Sequence, residues 1–161
     1  MSDEKELGGL SRALLRIPVP WVFVLAYLAG AGLEAVFHLG RSLQYPALTP
    51  IGLTVFLIGA ILAGWGWSIF HRAGTTRVPG ETSIALVTSG PYRFTRNPMY
   101  VGLSVAYIGE ACILHQVIPV IFLPVVIVYL NMVVIPVEEK RLRAAFGIDY
   151  DRFVQKVRRW L

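Results

Sequence analysis

The chain has 161 residues, of which 55% are hydrophobic and 16% charged, and its mean hydropathy is +0.60. A soluble domain is usually about 45–50% apolar and about 25% charged, so this composition indicates a membrane protein and excludes a disordered, collagen-like or coiled-coil chain. The single cysteine excludes a disulfide framework and a metal site built from clustered cysteines. A net charge of +5 would suggest nucleic acid in a soluble protein, but here the positions of the charges are more informative.

Four stretches are apolar and close to the length of about 20 residues that a membrane-crossing helix needs. They cover residues 18–37, 50–70, 99–114 and 117–137. Only His115 and Gln116 separate the last two, which are therefore predicted to form a tight antiparallel hairpin. Helices are expected because spanning segments must satisfy their own backbone hydrogen bonds. The sequence thus predicts an all-α, multi-pass membrane protein that forms a single domain over residues 1–161.

The basic residues predict the orientation of this bundle. With four crossings, fourteen of the fifteen Lys and Arg residues fall on one side, and Arg41 is the exception. Because cytoplasmic loops carry the excess of Lys and Arg, both termini and the middle loop are predicted to lie in the cytoplasm. An alternative treats the first segment as a signal peptide cleaved near Ala29-Gly30-Ala31. Its removal would leave an odd number of helices, so four helices are favoured.

A polar loop over residues 71–98 is longer than a plain connection between two helices needs. Its second half, GPYRFTRNPMYVG with the start of the next helix, brings cations, an amide and two phenols together. Pro98 suits a first helical turn, and Asn97 is predicted to be the N-cap. A helix N-terminus with arginines nearby favours a carboxylate or a phosphate.

The fourth helix is predicted to leave the membrane at Glu138 and Glu139, on the same face as Arg93 and Arg96. Two adjacent carboxylates repel each other unless a cation or a hydroxyl shares them. One interpretation is structural: the glutamates pair with Arg93, Arg96 or Arg141 and lock the base of the hairpin. The other is functional: a zwitterionic ligand lies between the cationic loop and the acidic helix end.

The run GPYRFTRNPMYVG, followed after a hydrophobic hairpin by EEKRLRAAFGIDYDRFVQKVRRW, resembles the isoprenylcysteine carboxyl methyltransferase and phospholipid N-methyltransferase superfamily. The likeness covers about residues 75–161. It implies an integral membrane methyltransferase that binds S-adenosylmethionine at the cytosolic face, takes a lipophilic acceptor from the bilayer, contacts membrane lipids, and uses neither nucleic acid nor metal. It also implies a cofactor site made of Leu86, Val87, Gly90, Tyr92, Arg96, Asn97, Pro98, Tyr100, Glu138 and Glu139.

The chain departs from the family at Asn97, where histidine is frequent. Asparagine donates and accepts hydrogen bonds but does not titrate near pH 7, which argues against a base at this position. Methylation of a carboxylate needs no base, whereas an amine must first be neutral, so O-methylation is favoured and N-methylation is the alternative. Asn97 and Arg141 are the predicted catalytic residues, with Arg141 or Arg143 neutralising an acceptor carboxylate. The alternative for each arginine is contact with solvent or lipid headgroups.

Two acids lie inside hydrophobic segments, away from this site. Glu34 and Glu110 are predicted to pair with each other, or to bond to His38 or Gln44. The tail after Glu139 is predicted to form an amphipathic helix that either lies on the lipid headgroups or folds over the site as a lid. Two other functions remain open: a sterol-reductase-like enzyme that binds NADPH, and a non-catalytic membrane protein that holds a ligand such as haem.

Overall fold

The computed structural model describes residues 17–37, 45–73 and 85–161, and the regular structure in these ranges is helical. The elements are α1 (Val19–Phe37), α2 (Leu48–Arg72), a 3₁₀ turn (Gly90–Arg93), α3 (Pro98–Ile113), α4 (Ile118–Tyr129), a π-helical segment (Leu130–Val134) and α5 (Ile135–Lys156). The predicted all-α class is confirmed. Residues 1–16, 38–44 and 74–84, including His38, Gln44 and the middle of the polar loop, lie outside the described residues.

Three of the described helical runs are long and apolar enough to cross a membrane. They are Val19–Phe37, Leu48–Arg72 and the continuous run Ile118–Lys156, while Pro98–Ile113 is a shorter apolar helix. These runs contain the four predicted segments nearly residue for residue, so an integral membrane protein is confirmed. Four crossings, and termini on the cytoplasmic side, stay predictions.

Glycines on α2 and α3 let these two helices pack backbone to backbone. They are Gly52, Gly59 and Gly66 of α2 and Gly102 and Gly109 of α3. A Cβ atom on Gly59 would overlap the backbone nitrogen of Ala106 and lie 2.6 Å from the carbonyl oxygen of Gly102. Small residues are the usual means of close helix contact in lipid, where there is little hydrophobic drive between helices. The spacing of seven residues keeps the same face of each helix toward the other.

The turn between α3 and α4 is as tight as predicted, and it is braced by α1. Glu34 is buried, and its Oε2 accepts hydrogen bonds from the backbone N–H groups of Val117 (3.0 Å) and Ile118 (2.7 Å). These N–H groups begin α4 and have no partner within their own helix. Glu34 therefore caps α4 from a different helix. The predicted pairing with Glu110 is wrong, because a helix start within reach offers two donors and no charge repulsion.

The run from α4 into α5 widens to a π helix just before Pro136. A proline ring collides with the carbonyl of the residue four positions earlier, which here is Met132, and proline supplies no N–H for it. The wider turn relieves this contact, and the N–H of Ile135 bonds to the carbonyl oxygen of Leu130 instead. The segment brings the side chain of Asn131 to the same end of the bundle as the start of α3.

Helix α5 bends at Gly147, whose φ of 50° is one that residues with a side chain rarely adopt. Beyond the bend Tyr150, Phe153 and Val157 are buried against the polar loop, where they form a cluster with Val87 and Tyr92. The part of the C-terminal helix beyond Gly147 therefore folds back against the loop, while its contact with lipid headgroups stays a prediction.

Candidate active site

The loop that enters the site is held against α2 by its 3₁₀ turn. Gly90 has φ +59°, and a Cβ atom there would overlap Cδ1 of Ile69. Pro91 and Tyr92 are buried, and the Tyr92 hydroxyl donates a long hydrogen bond of 3.4 Å to the carbonyl oxygen of Gly66. The turn therefore fixes the chain a few residues before the charged part of the site.

The start of α3 is bound by the C-terminal tail. Pro98 occupies the first turn and Asn97 the N-cap position, as predicted, but the Asn97 side chain makes no capping hydrogen bond. Its Nδ2 donates instead to the carbonyl oxygen of Arg159 at 2.9 Å, and the Thr95 hydroxyl donates to the same oxygen at 3.2 Å. The predicted N-cap position of Asn97 is confirmed, and its side chain links the start of α3 to the tail.

The paired glutamates return to the loop, as the hairpin predicted. The Tyr100 hydroxyl donates a hydrogen bond of 2.7 Å to Oε1 of Glu138. Glu139 lies 2.9 Å from NH1 of Arg96, so the start of α5 faces the start of α3 through two contacts. The start of α3 and the start of α5, the two sides of the predicted cofactor site, are thus in contact in this structure.

A second arginine binds Glu139, and sequence reasoning missed it. Arg159 donates from Nε to Oε1 of Glu139 at 3.0 Å and from NH2 to Oε2 at 2.6 Å, which is the two-pronged geometry of a strong guanidinium–carboxylate pair. Arg93 and Arg141, two of the predicted partners, are exposed. The surplus of basic residues in the tail was the available signal, but nothing in their spacing singles out Arg159.

The charge cluster of Arg96, Glu139 and Arg159 carries a surplus positive charge and a hydrogen-bond donor without an acceptor. Two guanidinium groups face the one carboxylate of Glu139, so these three side chains sum to one positive charge when all are ionised. The Nε–H of Arg96 is buried and has no hydrogen-bond partner among the described residues. A buried donor without a partner is costly, and a ligand oxygen would satisfy it. On the other side of the cluster, Glu138 supplies negative charge 2.7 Å from a phenol.

The remaining predicted residues lie on the loop and on the outside of α5. Val87 is buried against Tyr92 and Tyr150, and Leu86 packs on the same cluster. Leu86 and Val87, which belong to the loop, therefore also pack against the C-terminal tail. Arg141 lies on the exposed part of α5, so its predicted catalytic role stays a prediction.

The described histidines do not join the site. His71 stacks on Trp67 near the end of α2, with ring centroids 5.1 Å apart. His115 lies at the opposite end of the bundle, with its Nε2 3.0 Å from the Thr49 hydroxyl. Within residues 17–37, 45–73 and 85–161, no three His, Cys, Asp or Glu side chains are grouped so that they could hold a metal ion.

Comparison with known sequences gives one consistent family. A family model described as phospholipid methyltransferase matches residues 48–149. The chain is 27% identical over 139 residues to a probable protein-S-isoprenylcysteine O-methyltransferase of Oryza sativa subsp. indica, covering 81% of this chain and 73% of the relative. It is 31% identical over 138 residues to protein-S-isoprenylcysteine O-methyltransferase B of Arabidopsis thaliana, covering 84% of this chain and 68% of that one.

A solved structure has the same arrangement of helices. It is isoprenylcysteine carboxyl methyltransferase, described as a eukaryotic intramembrane Ras methyltransferase, with a TM-score of 0.64 and 26% sequence identity. The match covers 84% of this chain and 49% of that one, so this chain spans about half the length of the solved protein. The chain belongs to the isoprenylcysteine carboxyl methyltransferase and phospholipid methyltransferase superfamily of membrane methyltransferases.

Proposed function

We propose that the chain binds S-adenosylmethionine between the starts of α3 and α5 and methylates the carboxylate of a lipophilic acceptor. The observation that carries the proposal is the charge cluster of Arg96, Glu139 and Arg159. It combines surplus positive charge with the buried, unpartnered Nε–H of Arg96. Glu138 adds negative charge beside it. A ligand with both a carboxylate and positive charges, as this cofactor has, fits such a site.

Each polar group of the site has a matching group on the cofactor. The Arg96 Nε–H can bind the carboxylate of the amino-acid part, because guanidinium–carboxylate bonds are strong and directional. Glu138 can accept from the ammonium group or the ribose hydroxyls. The rings of Tyr92 and Tyr100 can face positive charge through their π-systems. The cofactor supplies a methyl group made electrophilic by a sulfonium.

The acceptor is proposed to be a carboxylate because the described site offers little base chemistry. Asn97 does not titrate, and its Nδ2 is committed to the Arg159 carbonyl oxygen. Both oxygens of Glu139 already accept hydrogen bonds from the guanidinium groups of Arg96 and Arg159. A nucleophile that is already anionic at neutral pH avoids this difficulty. The related proteins are protein-S-isoprenylcysteine O-methyltransferases, which supports the same class of acceptor.

The acceptor is proposed to reach the site from the bilayer on the cytosolic side. The exposed side chains of α1, α2 and α4 are mostly apolar, as expected for surfaces in lipid, so a lipophilic molecule can approach them sideways. The site end of the bundle carries most of the basic residues, which by the positive-inside rule favours the cytosol. Arg141 is proposed to neutralise the acceptor carboxylate.

Methylation of a phospholipid amine is the second candidate, and the description of the matching family model favours it. It requires the amine to lose its proton before transfer, for which burial in the site would have to lower the amine pKa. The two acceptors are separated by the chemistry of their products. A methyl ester releases methanol in alkali, whereas an N-methyl group does not.

Calorimetric titration of the detergent-purified chain tests the cofactor assignment. S-Adenosylmethionine and S-adenosylhomocysteine are expected to bind saturably, and NADPH, the control, is not. Binding of NADPH alone would support the reductase-like alternative and contradict the proposal. The acceptor is then tested with methyl-labelled cofactor and two probes, an S-farnesylcysteine derivative and phosphatidylethanolamine, by counting label released by alkali. Label that enters only phosphatidylethanolamine and resists alkali would contradict O-methylation.

A further inference from the structure

Arg158, Arg159 and Trp160 join separate parts of the site. The backbone N–H of Arg96 donates to the carbonyl oxygen of Arg158 at 2.9 Å, and the Arg159 carbonyl accepts from Thr95 and Asn97. The indole Nε1 of Trp160 donates to Oδ1 of Asn131, in the π-helical segment, at 2.9 Å. The tail therefore ties the start of α3 to the segment that precedes α5.

The Arg159 side chain also connects the tail to Glu139 at the start of α5. The side chain of Glu139 is 18% exposed and that of Arg159 is 36% exposed, so the pair is partly shielded from water. Glu138 and Glu139 are neighbours in sequence, and two adjacent carboxylates repel each other. Arg159 offsets this repulsion and fixes both oxygens of Glu139 at once, which a single contact with Arg96 does not.

We propose that Arg159 is a positioning residue for the cofactor site: it holds Glu139 in its orientation and keeps the starts of α3 and α5 together. This role rests on the proposed function. Arg159 acts through Glu139, and its effect on cofactor affinity is lost once Glu139 no longer carries a charge. A merely structural tail residue would lower stability whether or not Glu139 is charged.

A double-mutant cycle on S-adenosylhomocysteine affinity separates these two roles. The variants are Arg159→Gln, Arg159→Lys, Glu139→Gln and the double variant Glu139→Gln/Arg159→Gln. The matched control is Lys156→Gln, which removes an exposed positive charge three residues earlier. Dissociation constants are measured by calorimetry at a temperature well below the unfolding midpoint of each variant.

Arg159→Gln is expected to weaken binding about tenfold, because the charge-assisted pair of hydrogen bonds that orients Glu139 is lost. Arg159→Lys keeps the positive charge but not the two parallel hydrogen bonds of the guanidinium group. Its affinity is expected to lie between those of the wild type and Arg159→Gln. The double variant is expected to bind within about twofold of Glu139→Gln alone, because the two substitutions remove the same interaction. Lys156→Gln is expected to bind like the wild type.

Several outcomes would overturn the role. Wild-type affinity in Arg159→Gln, alongside weakened binding in Glu139→Gln, would show that Glu139 contributes to binding without being oriented by Arg159. If the fold-losses of affinity in the two single variants multiply in the double variant, Arg159 has an independent, structural effect. If Arg159→Gln does not fold, Arg159→Lys decides, and unchanged affinity in it overturns the role. A wild-type chain that binds neither adenosyl compound would instead contradict the proposed function, and this role with it.

Discussion

The Tyr100 hydroxyl, in the first turn of α3, donates a hydrogen bond of 2.7 Å to Oε1 of Glu138 in the first turn of α5. The whole hairpin of α3, α4 and the π-helical segment lies between these residues in sequence. The bond therefore closes the base of the hairpin, and it also fixes one carboxylate oxygen of the proposed cofactor site. A phenol does this without adding charge to the site.

Tyr100→Phe is expected to weaken S-adenosylhomocysteine binding by about tenfold or more, because a hydrogen bond to a charged group is worth about 1.5–3 kcal/mol. The ring keeps its packing, so the loss is confined to this bond. The measurement is a calorimetric titration. Tyr45→Phe, which changes a phenol on an exposed side chain before α2, is the control and is expected to have no effect. Equal affinity in Tyr100→Phe and Tyr45→Phe would mean that the bond to Glu138 plays no part in binding.

Gly59→Ala is expected to lower the free energy of unfolding by about 1–3 kcal/mol, the usual cost of overpacking. The new Cβ atom would collide with the backbone of α3 at Ala106 and Gly102. The matched control is Gly64→Ala on the same helix, where a Cβ atom meets nothing within 4 Å. It is expected to be neutral or to stabilise by about 0.5–1 kcal/mol, because alanine favours a helix. Thermal unfolding in detergent gives the ranking, and equal midpoints for the two variants would contradict the close approach of α2 and α3.

Glu34→Ala is expected to lower the free energy of unfolding by about 1–3 kcal/mol, because the N–H groups of Val117 and Ile118 lose their acceptor away from water. Glu34→Gln keeps an acceptor oxygen and is expected to lose less. Cofactor affinity is expected to stay at the wild-type value in both, since the cap lies at the far end of the bundle. A Glu34→Ala variant as stable as the wild type would show that the cap contributes nothing.

Those parts of the fold that depend on apolar length and on short connections could be predicted from the sequence. Two residues between the last two apolar segments leave room only for a tight hairpin, and such a hairpin brings Glu138 back to Tyr100. The spacing of Gly52, Gly59 and Gly66 also carries information about packing, since a repeat of seven marks one face of a helix. That spacing can be read from the sequence alone, whereas the facing glycines of α3 need the register of the two helices.

Features that depend on competition between partners could not be predicted in this way. Asn97 occupies the predicted N-cap position, but no sequence pattern indicates the hydrogen bond from its Nδ2 to the carbonyl oxygen of Arg159, which forms because the tail folds back. Several tail arginines have the charge to pair with Glu139, and the bend at Gly147 decides which one does. Glu34 likewise binds a helix start distant in sequence, which no local pattern indicates.

The central claim, that S-adenosylmethionine binds between the starts of α3 and α5, is tested most directly by titrating S-adenosylhomocysteine into the wild type, Glu139→Gln and Asp149→Asn. Asp149 is an exposed acid on the same helix and pairs with Arg152 at 3.5 Å, so its substitution matches the charge change away from the site. The wild type and Asp149→Asn are expected to bind equally, and Glu139→Gln at least about tenfold more weakly, since the carboxylate that holds the cofactor-binding Arg96 is lost. Equal binding by all three folded proteins would contradict the site, and no binding by the wild type would contradict the cofactor.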